Sequence, residues 1–201
     1  GFKKYGDEYK VMGLSSYGSS TKYYEAIKKV LLEDDDVFFK LNLFFFSHHS
    51  KGVEMTWLEG EPKLSDVYND NLIKLLGPAR KVNEKIENKH MDIAASAQKL
   101  YEDILFKILN ELHSKRKCDN LCLSGGCAMN SVANGKILEN TPYKKIYINT
   151  APGDSGGAIG SALIVIKDKY IIERSSVDNP YLGNQFDNKY IKKLLLIKSE
   201  E

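Results

Sequence analysis

Apolar residues recur at steps of three and four over residues 92–114, and this pattern predicts one long amphipathic helix. The recurring positions are Ile93, Ala97, Leu100, Ile104, Ile108 and Leu112. Asp92 stands where an N-cap side chain accepts the first free backbone N–H groups. The cationic run 115–117 lies at the opposite end, where positive charge suits the helix dipole. We expect this helix to pack on a sheet and to have a role in the core only.

Two short apolar runs follow, and each leads through a glycine-rich turn into a stretch with helical periodicity. The predicted elements are strands at 121–123 and 145–149, helices at 131–138 and 158–170, and loops at 124–126 and 151–157. This β-loop-α-β-loop-α order predicts parallel strands whose two loops lie at one edge of a sheet. That edge is where α/β proteins bind ligands. The chain is therefore predicted to have an α/β fold.

The first ninety residues alternate between polar and aromatic runs. Their predicted elements are a loop over 1–20 with one turn near 9–14, a helix over 22–32, one or two strands over 37–46, and a helix over 64–76. The acidic run 33–36 is predicted to end the first helix and to form a hydrated loop. Gly77-Pro78 is predicted to end the second helix. His48 and His49 would point to opposite faces of a strand, so edge or loop positions are predicted for them.

Composition is ordinary for one globular domain, with 201 residues, 42% hydrophobic residues, 28% charged residues and a net charge of +2. Lysine is scattered, and we expect no nucleic-acid partner. No run approaches the roughly 18 apolar residues of a membrane span, and the first residues resemble no signal peptide. Cys118, Cys122 and Cys127 are odd in number and clustered, which favours a reducing compartment and a cytoplasmic location. Cys122 is predicted to be a small buried residue of its strand.

Both glycine loops are candidates for nucleotide binding. A phosphate needs several converging N–H donors, and tandem glycines followed by a helix supply them. Ser124, Gly125 and Gly126 form such a loop, and the Asn130 amide can set the orientation of a ligand. The alternative is a tight strand-to-helix turn without a ligand, and the spacing alone does not decide between them. The loop has neither a Walker Lys-Ser/Thr nor a full G-x-G-x-x-G.

Asp154 follows the second strand and lies among glycines that leave room beside it. Its carboxylate can ligate a divalent metal or orient a hydroxyl. The alternative is a helix cap, with Asp154 or Ser155 at the start of the following helix. Lys10 is a candidate anion contact, against the alternative of a solvated lysine.

Six motifs resemble, in order, those of the NodU/CmcH-type O-carbamoyltransferases. They are DEYKVMGLSSYG at 7–18, GPAR at 77–80, DIAAS at 92–96, LCLSGGCAMNSVANGK at 121–136, APGDSGGAIG at 151–160 and YLG at 181–183. Ser15-Ser16 stands where the family has Ala-Pro, and Cys127 and Met129 replace Val and Leu. The similarity spans nearly the whole chain.

The resemblance implies an actin-like ATPase (ASKHA, RNase H-like) half-domain, with parallel strands flanked by helices and an inserted α+β segment. The expected domain covers residues 1–174, with the insertion at about 22–89 and the nucleotide-binding core at about 90–174. Residues 175–201 are then a linker or tail toward a YrdC-like domain, which is expected after Glu201. The family's H-x-x-x-H metal ligands are expected before Gly1.

In the family, the YrdC-like domain makes carbamoyladenylate from carbamoyl phosphate and ATP. The actin-like domain binds this adenylate beside a divalent metal such as iron or manganese and transfers the carbamoyl group to a hydroxyl of a small molecule or sugar. Carried over by position, Ser124, Gly125, Gly126, Asn130, Gly153 and Gly156 would hold the nucleotide. Asp154 would be a metal ligand, and Lys10 and Arg80 would contact an anion or the substrate. No general base is identified.

Two other classes of function remain open at this stage. One is another actin-like enzyme such as a sugar kinase, and the other is a non-catalytic nucleotide-binding domain. The four histidines of the chain do not show the H-x-x-x-H spacing. The chain by itself is therefore expected to be inactive.

Overall fold

The computed structural model describes residues 1–2, 4, 6–34, 38–169, 181 and 183–198, with the backbone alone at 58 and 61. Its helices are α1 (Glu8–Ser15), α2 (Tyr24–Lys28), α3 (His48–Lys51), α4 (Asp70–Leu76), α5 (Asn88–Lys115), α6 (Ser131–Asn134), α7 (Ile137–Asn140), α8 (Gly156–Lys169) and α9 (Asn188–Lys198). Its strands are β1 (Leu31–Asp34), β2 (Phe38–Leu41), β3 (Met55–Leu58), β4 (Glu61–Leu64), β5 (Asn120–Leu123) and β6 (Lys145–Ile148). Short 3₁₀ turns occupy Leu43–Phe45 and Gly126–Met129.

The strands form small sheets. β1 pairs with β2 and β3 pairs with β4, both antiparallel, and β5 and β6 form a third two-stranded sheet. The prediction of a mixed α/β fold is thereby confirmed, whereas the parallel direction of β5 and β6 stays a prediction. Within the described ranges, no helix is both long enough and apolar enough to cross a membrane.

The chain divides into two compact units. The first comprises Gly1–Leu121 and Asn130–Ile146, and the second comprises Cys122–Met129 and Tyr147–Glu201. The predicted domain boundaries near 22, 89 and 174 stay a prediction.

Helix α5 is the centre of the first unit, where it packs against α1 and α2. The buried apolar side chains of this unit are Ile27, Phe45, Ala94, Ala95, Leu100, Leu109, Leu121, Ala133, Ile137 and Tyr143. The Tyr24 hydroxyl of α2 donates to Asp103 of α5 at 2.8 Å, and this hydrogen bond raises the pKa of Tyr24 to about 12. The predicted core role of the long helix holds only in part, because Leu100 alone of the six predicted apolar positions is buried and Leu112 is exposed. Its main contacts are with helices α1 and α2, whereas packing on a sheet was predicted.

The start of α5 differs from the prediction. The helix begins at Asn88, because Glu87 and His90 form a capping box one turn before the periodic pattern starts. Asp92 is thus not an N-cap. Its buried carboxylate instead accepts the Ser19 N–H at 2.7 Å and pairs with Lys22 Nζ at 2.8 Å.

In the first ninety residues, the predicted helices differ from the observed ones in position or extent. Residues 8–15 form a helix where a loop with a single turn near 9–14 was predicted; at its start Asp7 pairs with Lys10 and accepts the Lys4 N–H. The helix predicted over 22–32 ends at Lys28, because the residues after it pair in the β1–β2 hairpin. The helix predicted over 64–76 begins only at Asp70, where the Asn69 side chain accepts the Asn71 N–H. Its predicted end at Gly77 is confirmed.

Two further predictions are wrong in the aromatic segment. Leu43–Phe45 is a 3₁₀ turn rather than strand, because the Asn42 side chain accepts the Phe44 N–H and turns the chain. His48 and His49 lie in α3 rather than at a strand edge or in a loop. The acidic residues 33 and 34 belong to β1, whereas 35 and 36 fall outside the described residues.

The strand–loop–helix segments were predicted more closely. β5, β6 and α8 occur where expected, although Tyr170 and residues 175–180 lie outside the described residues. The helix predicted over 131–138 is divided into α6 and α7 at Gly135-Lys136. Cys122 is exposed rather than buried, because the alternation along β5 turns Leu121 toward the core.

Candidate functional site

The two glycine loops touch each other in the second unit. The Gly125 N–H donates to the Pro152 carbonyl oxygen at 2.7 Å, and the Gly125 carbonyl accepts the Ala128 N–H at 3.0 Å. The first loop therefore turns tightly and is joined to the second by a backbone hydrogen bond. This confirms the prediction that both loops lie side by side.

The tandem glycines have different roles in this turn. Gly125 has φ of +93°, a left-handed conformation that is energetically unfavourable for residues with a Cβ atom. Gly126 has no such angle, and no heavy atom lies within 4 Å of the position that a Cβ would occupy there. The Gly125 N–H donates to Pro152, so Gly125 fixes the shape of the loop. Among the described residues, no acceptor for the Gly126 N–H is found.

The second loop is close-packed. A Cβ on Gly156 would lie 2.3 Å from the Ala151 carbonyl oxygen, and one on Gly153 would lie 3.3 Å from the Met129 methyl group. The loop residues supply carbonyls to the first turn of α8, where Gly156 N donates to Gly153 O and Gly157 N donates to Asp154 O. Within the described residues, the N–H groups of Gly153, Asp154 and Ser155 have no acceptor. Three successive free donors of this kind suit an anion.

Asp154 projects from this loop as an exposed carboxylate. In the part of the chain that the structure describes, it caps no helix through its side chain and pairs with no cation. The carboxylate is therefore free to bind a ligand. It supplies one oxygen-bearing ligand group, however, and the described residues contain no group of three or more His, Cys, Asp or Glu side chains that could hold a metal ion. They do not form a metal site by themselves.

Asn130 belongs to the first unit, where its side chain bonds to two partners. Its Oδ1 caps α6 by accepting the Ala133 N–H at 3.0 Å and also accepts Gln98 Nε2 at 3.1 Å. Its Nδ2 donates one hydrogen to Gln98 Oε1 at 3.0 Å. A ligand contact through Oδ1 would have to compete with these bonds, whereas the second Nδ2 hydrogen has no acceptor among the described residues.

An ion pair between the buried Glu102 and the partly exposed Lys136 adjoins the Gln98–Asn130 amide pair. Gln98 Nε2 also donates to Glu102 Oε1 at 2.9 Å, and Lys136 Nζ contacts both oxygens of Glu102 at 2.8 and 2.7 Å. Only 3% of Glu102 is exposed, so its charge depends on Lys136 for compensation. Sequence reasoning missed Gln98, Glu102 and Lys136. The available signal was only the spacing of four between Gln98 and Glu102, which places both on one side of the helix.

The two predicted cationic contacts are both occupied by other groups. Lys10 Nζ lies 2.6 Å from Asp7 Oδ1, and this hydrogen bond raises the pKa of Lys10 and lowers that of Asp7. Arg80 Nη1 donates to three carbonyl oxygens of the following loop, those of Lys81, Val82 and Glu84. Anion binding by either cation stays a prediction.

The chain is similar to known proteins along most of its length. A family model described as "Carbamoyltransferase N-terminus" matches residues 1–163. The uncharacterized protein sll1178 of Synechocystis is 35% identical over an alignment of 201 residues, and this alignment covers 97% of this chain and 31% of that protein. Nodulation protein NolO of Bradyrhizobium diazoefficiens is 30% identical over 159 residues, 79% of this chain and 25% of NolO.

A third relative matches a shorter segment. Nodulation protein U of Azorhizobium caulinodans is 34% identical over 74 residues, which cover 35% of this chain and 13% of that protein. The chain thus spans 31% or less of the length of these three relatives. Since the family model covers both glycine loops and most of the remaining chain, the chain belongs to the NodU-type carbamoyltransferase family.

Proposed function

We propose that this chain forms the nucleotide-binding part of an O-carbamoyltransferase. The carbamoyl group would come from carbamoyladenylate, itself made from carbamoyl phosphate and ATP, and would pass to a hydroxyl of a small molecule or sugar. The observation that carries the proposal is the hydrogen bond from Gly125 N to Pro152 O, because it joins the two glycine loops into one surface. Family membership supports the choice of carbamoyl transfer.

The free backbone donors are the groups that would bind the adenylate. The N–H of Gly126 and those of Gly153, Asp154 and Ser155 would donate to phosphate oxygens, as backbone N–H groups at helix starts do in other nucleotide sites. Ser124 would flank the first set, and Gly156 would keep the backbone of the second loop close to the ligand. Asn130 would position the helix after the first loop through its pairing with Gln98.

Transfer itself is a substitution at the carbamoyl carbon. The acceptor hydroxyl oxygen forms a bond to this carbon, the bond from the carbon to the AMP phosphate oxygen breaks, and AMP leaves. Negative charge that develops on the carbamoyl oxygen would be stabilised by N–H donors fixed in advance. The hydroxyl proton must pass to a base, which the described residues do not identify.

Asp154 would supply one ligand to a divalent metal bound beside the nucleotide. Its carboxylate would otherwise repel a phosphate at the neighbouring N–H groups, and a cation removes that repulsion. Because the described residues contain no complete ligand set, further ligands would have to come from elsewhere in the parent protein. An actin-like domain, a YrdC-like partner domain of the same parent chain and a cytoplasmic location belong to the same proposal.

Calorimetric titration of the parent protein with AMP, in the presence and absence of Mn²⁺, tests the nucleotide site. We expect Mn²⁺ to strengthen AMP binding to the wild-type parent protein and Asp154→Asn to remove that effect. Asp168→Asn is the matched control, because Asp168 is an exposed carboxylate of α8 without an ion pair among the described residues. AMP binding with the same Mn²⁺ dependence in Asp154→Asn would show that this carboxylate holds no metal.

The choice of carbamoyl transfer needs a separate readout. Synthetic carbamoyladenylate and AMP are compared as ligands, and we expect the carbamoyl compound to bind more tightly. Mass spectrometry of acceptor alcohols incubated with the parent protein, carbamoyl phosphate and ATP should then detect carbamate esters. Phosphorylated acceptors formed from ATP without carbamoyl phosphate would instead identify a kinase.

A further inference from the structure

A cavity of about 270 Å³ lies within the first unit and is lined by residues of α1, α4 and α5. Its aliphatic walls are formed by Val11, Leu14, Leu72, Leu76, Ile93 and Ala97. The cavity is partly open to solvent. A dry apolar cavity of about 150 Å³ is already large enough to bind benzene. This cavity therefore has room for the apolar body of a small organic molecule.

Two cationic side chains, Arg80 and Lys89, line the cavity, and among the described residues no aspartate or glutamate side chain does. His90 also lines it, and its Nδ1 accepts the Glu87 N–H. The guanidinium of Arg80 is held in place by hydrogen bonds from Nη1 to the carbonyl oxygens of Lys81 and Glu84, at 2.9 and 2.5 Å. Arginine stays charged throughout the physiological pH range. A fixed positive charge therefore lies beside the aliphatic walls.

Lys89 adds a second cation at the end of α4. A Cβ on Gly77 would lie 2.1 Å from Lys89 Nζ, so the ammonium rests directly on the Gly77 backbone. Within the described ranges, neither Lys89 nor Arg80 forms an ion pair with a carboxylate. The carboxyl end of α4 balances part of the Lys89 charge. An anion would supply the full counter-charge that both cations lack.

We propose that this cavity binds a small organic anion with an apolar body and one terminal carboxylate or phosphate. The apolar body would lie among the aliphatic side chains of α1, α4 and α5. The anionic group would bind at Lys89 and Arg80. Tyr68 also lines the cavity, but its hydroxyl is already hydrogen-bonded to the Asp66 carboxylate; burial and the Asp66 charge, together with this hydrogen bond, raise the pKa of Tyr68. No residue that lines this cavity belongs to the two glycine loops, although Arg80 is also a predicted anion contact of the carbamoyltransferase family.

Methyl-detected NMR titration of the chain tests the proposal with three matched probes: 4-phenylbutyrate, 4-phenylbutyl phosphate and the neutral 4-phenylbutanol. We expect saturable shifts of the methyl groups of Leu72, Ile73 and Ile93. At least one anion should bind about tenfold more tightly than the alcohol, because a hydrogen bond to a charged group contributes more than a neutral one. The tighter of the two anions identifies the terminal group.

Substitutions separate this site from other apolar surfaces. Lys89→Gln should weaken anion binding about tenfold and leave alcohol binding unchanged. Lys107→Gln, an exposed lysine of the same helix, is the matched control and should leave both unchanged. Ala97→Leu fills the cavity and should abolish binding of all three probes, provided that its methyl spectrum shows a folded chain.

Three results would overturn the proposal. The first is equal affinity for the anions and the alcohol. The second is an equal loss of anion binding in Lys89→Gln and Lys107→Gln. The third is a set of shifts that occur at the exposed leucines of α9 and not at Leu72, Ile73 and Ile93, because this would place the probes on another surface.

Discussion

Gln98 and Asn130 exchange two amide hydrogen bonds, from Gln98 Nε2 to Asn130 Oδ1 at 3.1 Å and from Asn130 Nδ2 to Gln98 Oε1 at 3.0 Å. Because Asn130 Oδ1 also caps α6, the pair ties the middle of α5 to the start of α6. Reciprocal amide pairs satisfy donor and acceptor groups on both partners. Removal of one partner therefore leaves more than one polar group without a hydrogen bond.

Gln98→Ala should lower the free energy of unfolding by about 1–3 kcal/mol. The variant leaves the Asn130 amide and one interaction of the buried Glu102 without their partner. Urea denaturation measures the change. Lys107→Ala, at an exposed position of the same helix, controls for the gain in helix propensity. An unfolding free energy for Gln98→Ala equal to that of the control would show that the amide pair contributes nothing to stability.

Glu102 and Lys136 should behave as a coupled pair. Glu102→Gln leaves the ammonium without its counter-charge, and Lys136→Met leaves a carboxylate that is only 3% exposed without compensation. We expect each single substitution to cost about 1–3 kcal/mol, with the lysine substitution the more costly. In a double-mutant cycle, the double variant should lose clearly less than the sum of the two. Agreement with the sum to within about 0.5 kcal/mol would exclude the coupling.

Asp92 should make stability depend on pH in the acid range. The hydrogen bond from Lys22 and then that from the Ser19 N–H hold the pKa of this carboxyl below its ordinary value of 3.8. A lowered pKa in the folded state adds stability that is complete above the unfolded value and is lost as pH falls through the folded value. The wild-type chain should therefore lose stability as pH falls below about 4.

Asp92→Asn should flatten this pH dependence, as measured by urea denaturation at several pH values between 5 and 3. The variant should be less stable than the wild type at pH 7 and closer to it at pH 3. Asp168→Asn removes a carboxylate without an ion pair among the described residues and should keep the wild-type slope. An unchanged slope in Asp92→Asn would contradict the prediction.

The tandem glycines offer a comparison within a single loop. Gly125→Ala places a side chain at φ of +93° and should lower the unfolding free energy by about 1–2 kcal/mol. Gly126→Ala has open space and no positive φ, so it should be neutral or slightly stabilising. Thermal unfolding and AMP titration of both variants measure the effect. Equal losses of stability in both variants would show that the left-handed turn is not what requires glycine.

The interior of several elements could be predicted from local patterns. The apolar steps of α5, the strands β5 and β6, the start of α8 and the glycine at the end of α4 all depend on neighbours within one or two turns. Periodicity and glycine conformation act at that range. The proximity of the two glycine loops was instead expected from the β-loop-α order of the elements, since Gly125 N and Pro152 O, which form their contact, are distant in sequence.

The errors occur where distant residues decide the outcome. Residues 31 and 32 belong to the predicted helix and residues 33 and 34 to the predicted loop, yet all four form β1 because a partner strand lies beyond the acidic run. Asp92 lies at a position where an N-cap was predicted, but its carboxylate instead accepts hydrogen bonds from Ser19 and Lys22, which lie some seventy residues earlier. Neither partner is visible in the local pattern, because each contact exists only once the chain has folded.

The sequence by itself determined the family, the long helix and the two glycine loops, since ordered motifs and short-range periodicity carry that information. Only the tertiary structure decided how individual side chains are used. In the folded chain Asn130 is hydrogen-bonded to Gln98, Glu102 is buried beside Lys136, and the exposed Asp154 side chain caps no helix among the described residues. The physical reason is that a polar side chain bonds to the partner that folding brings within about 3 Å, and sequence spacing does not specify that partner.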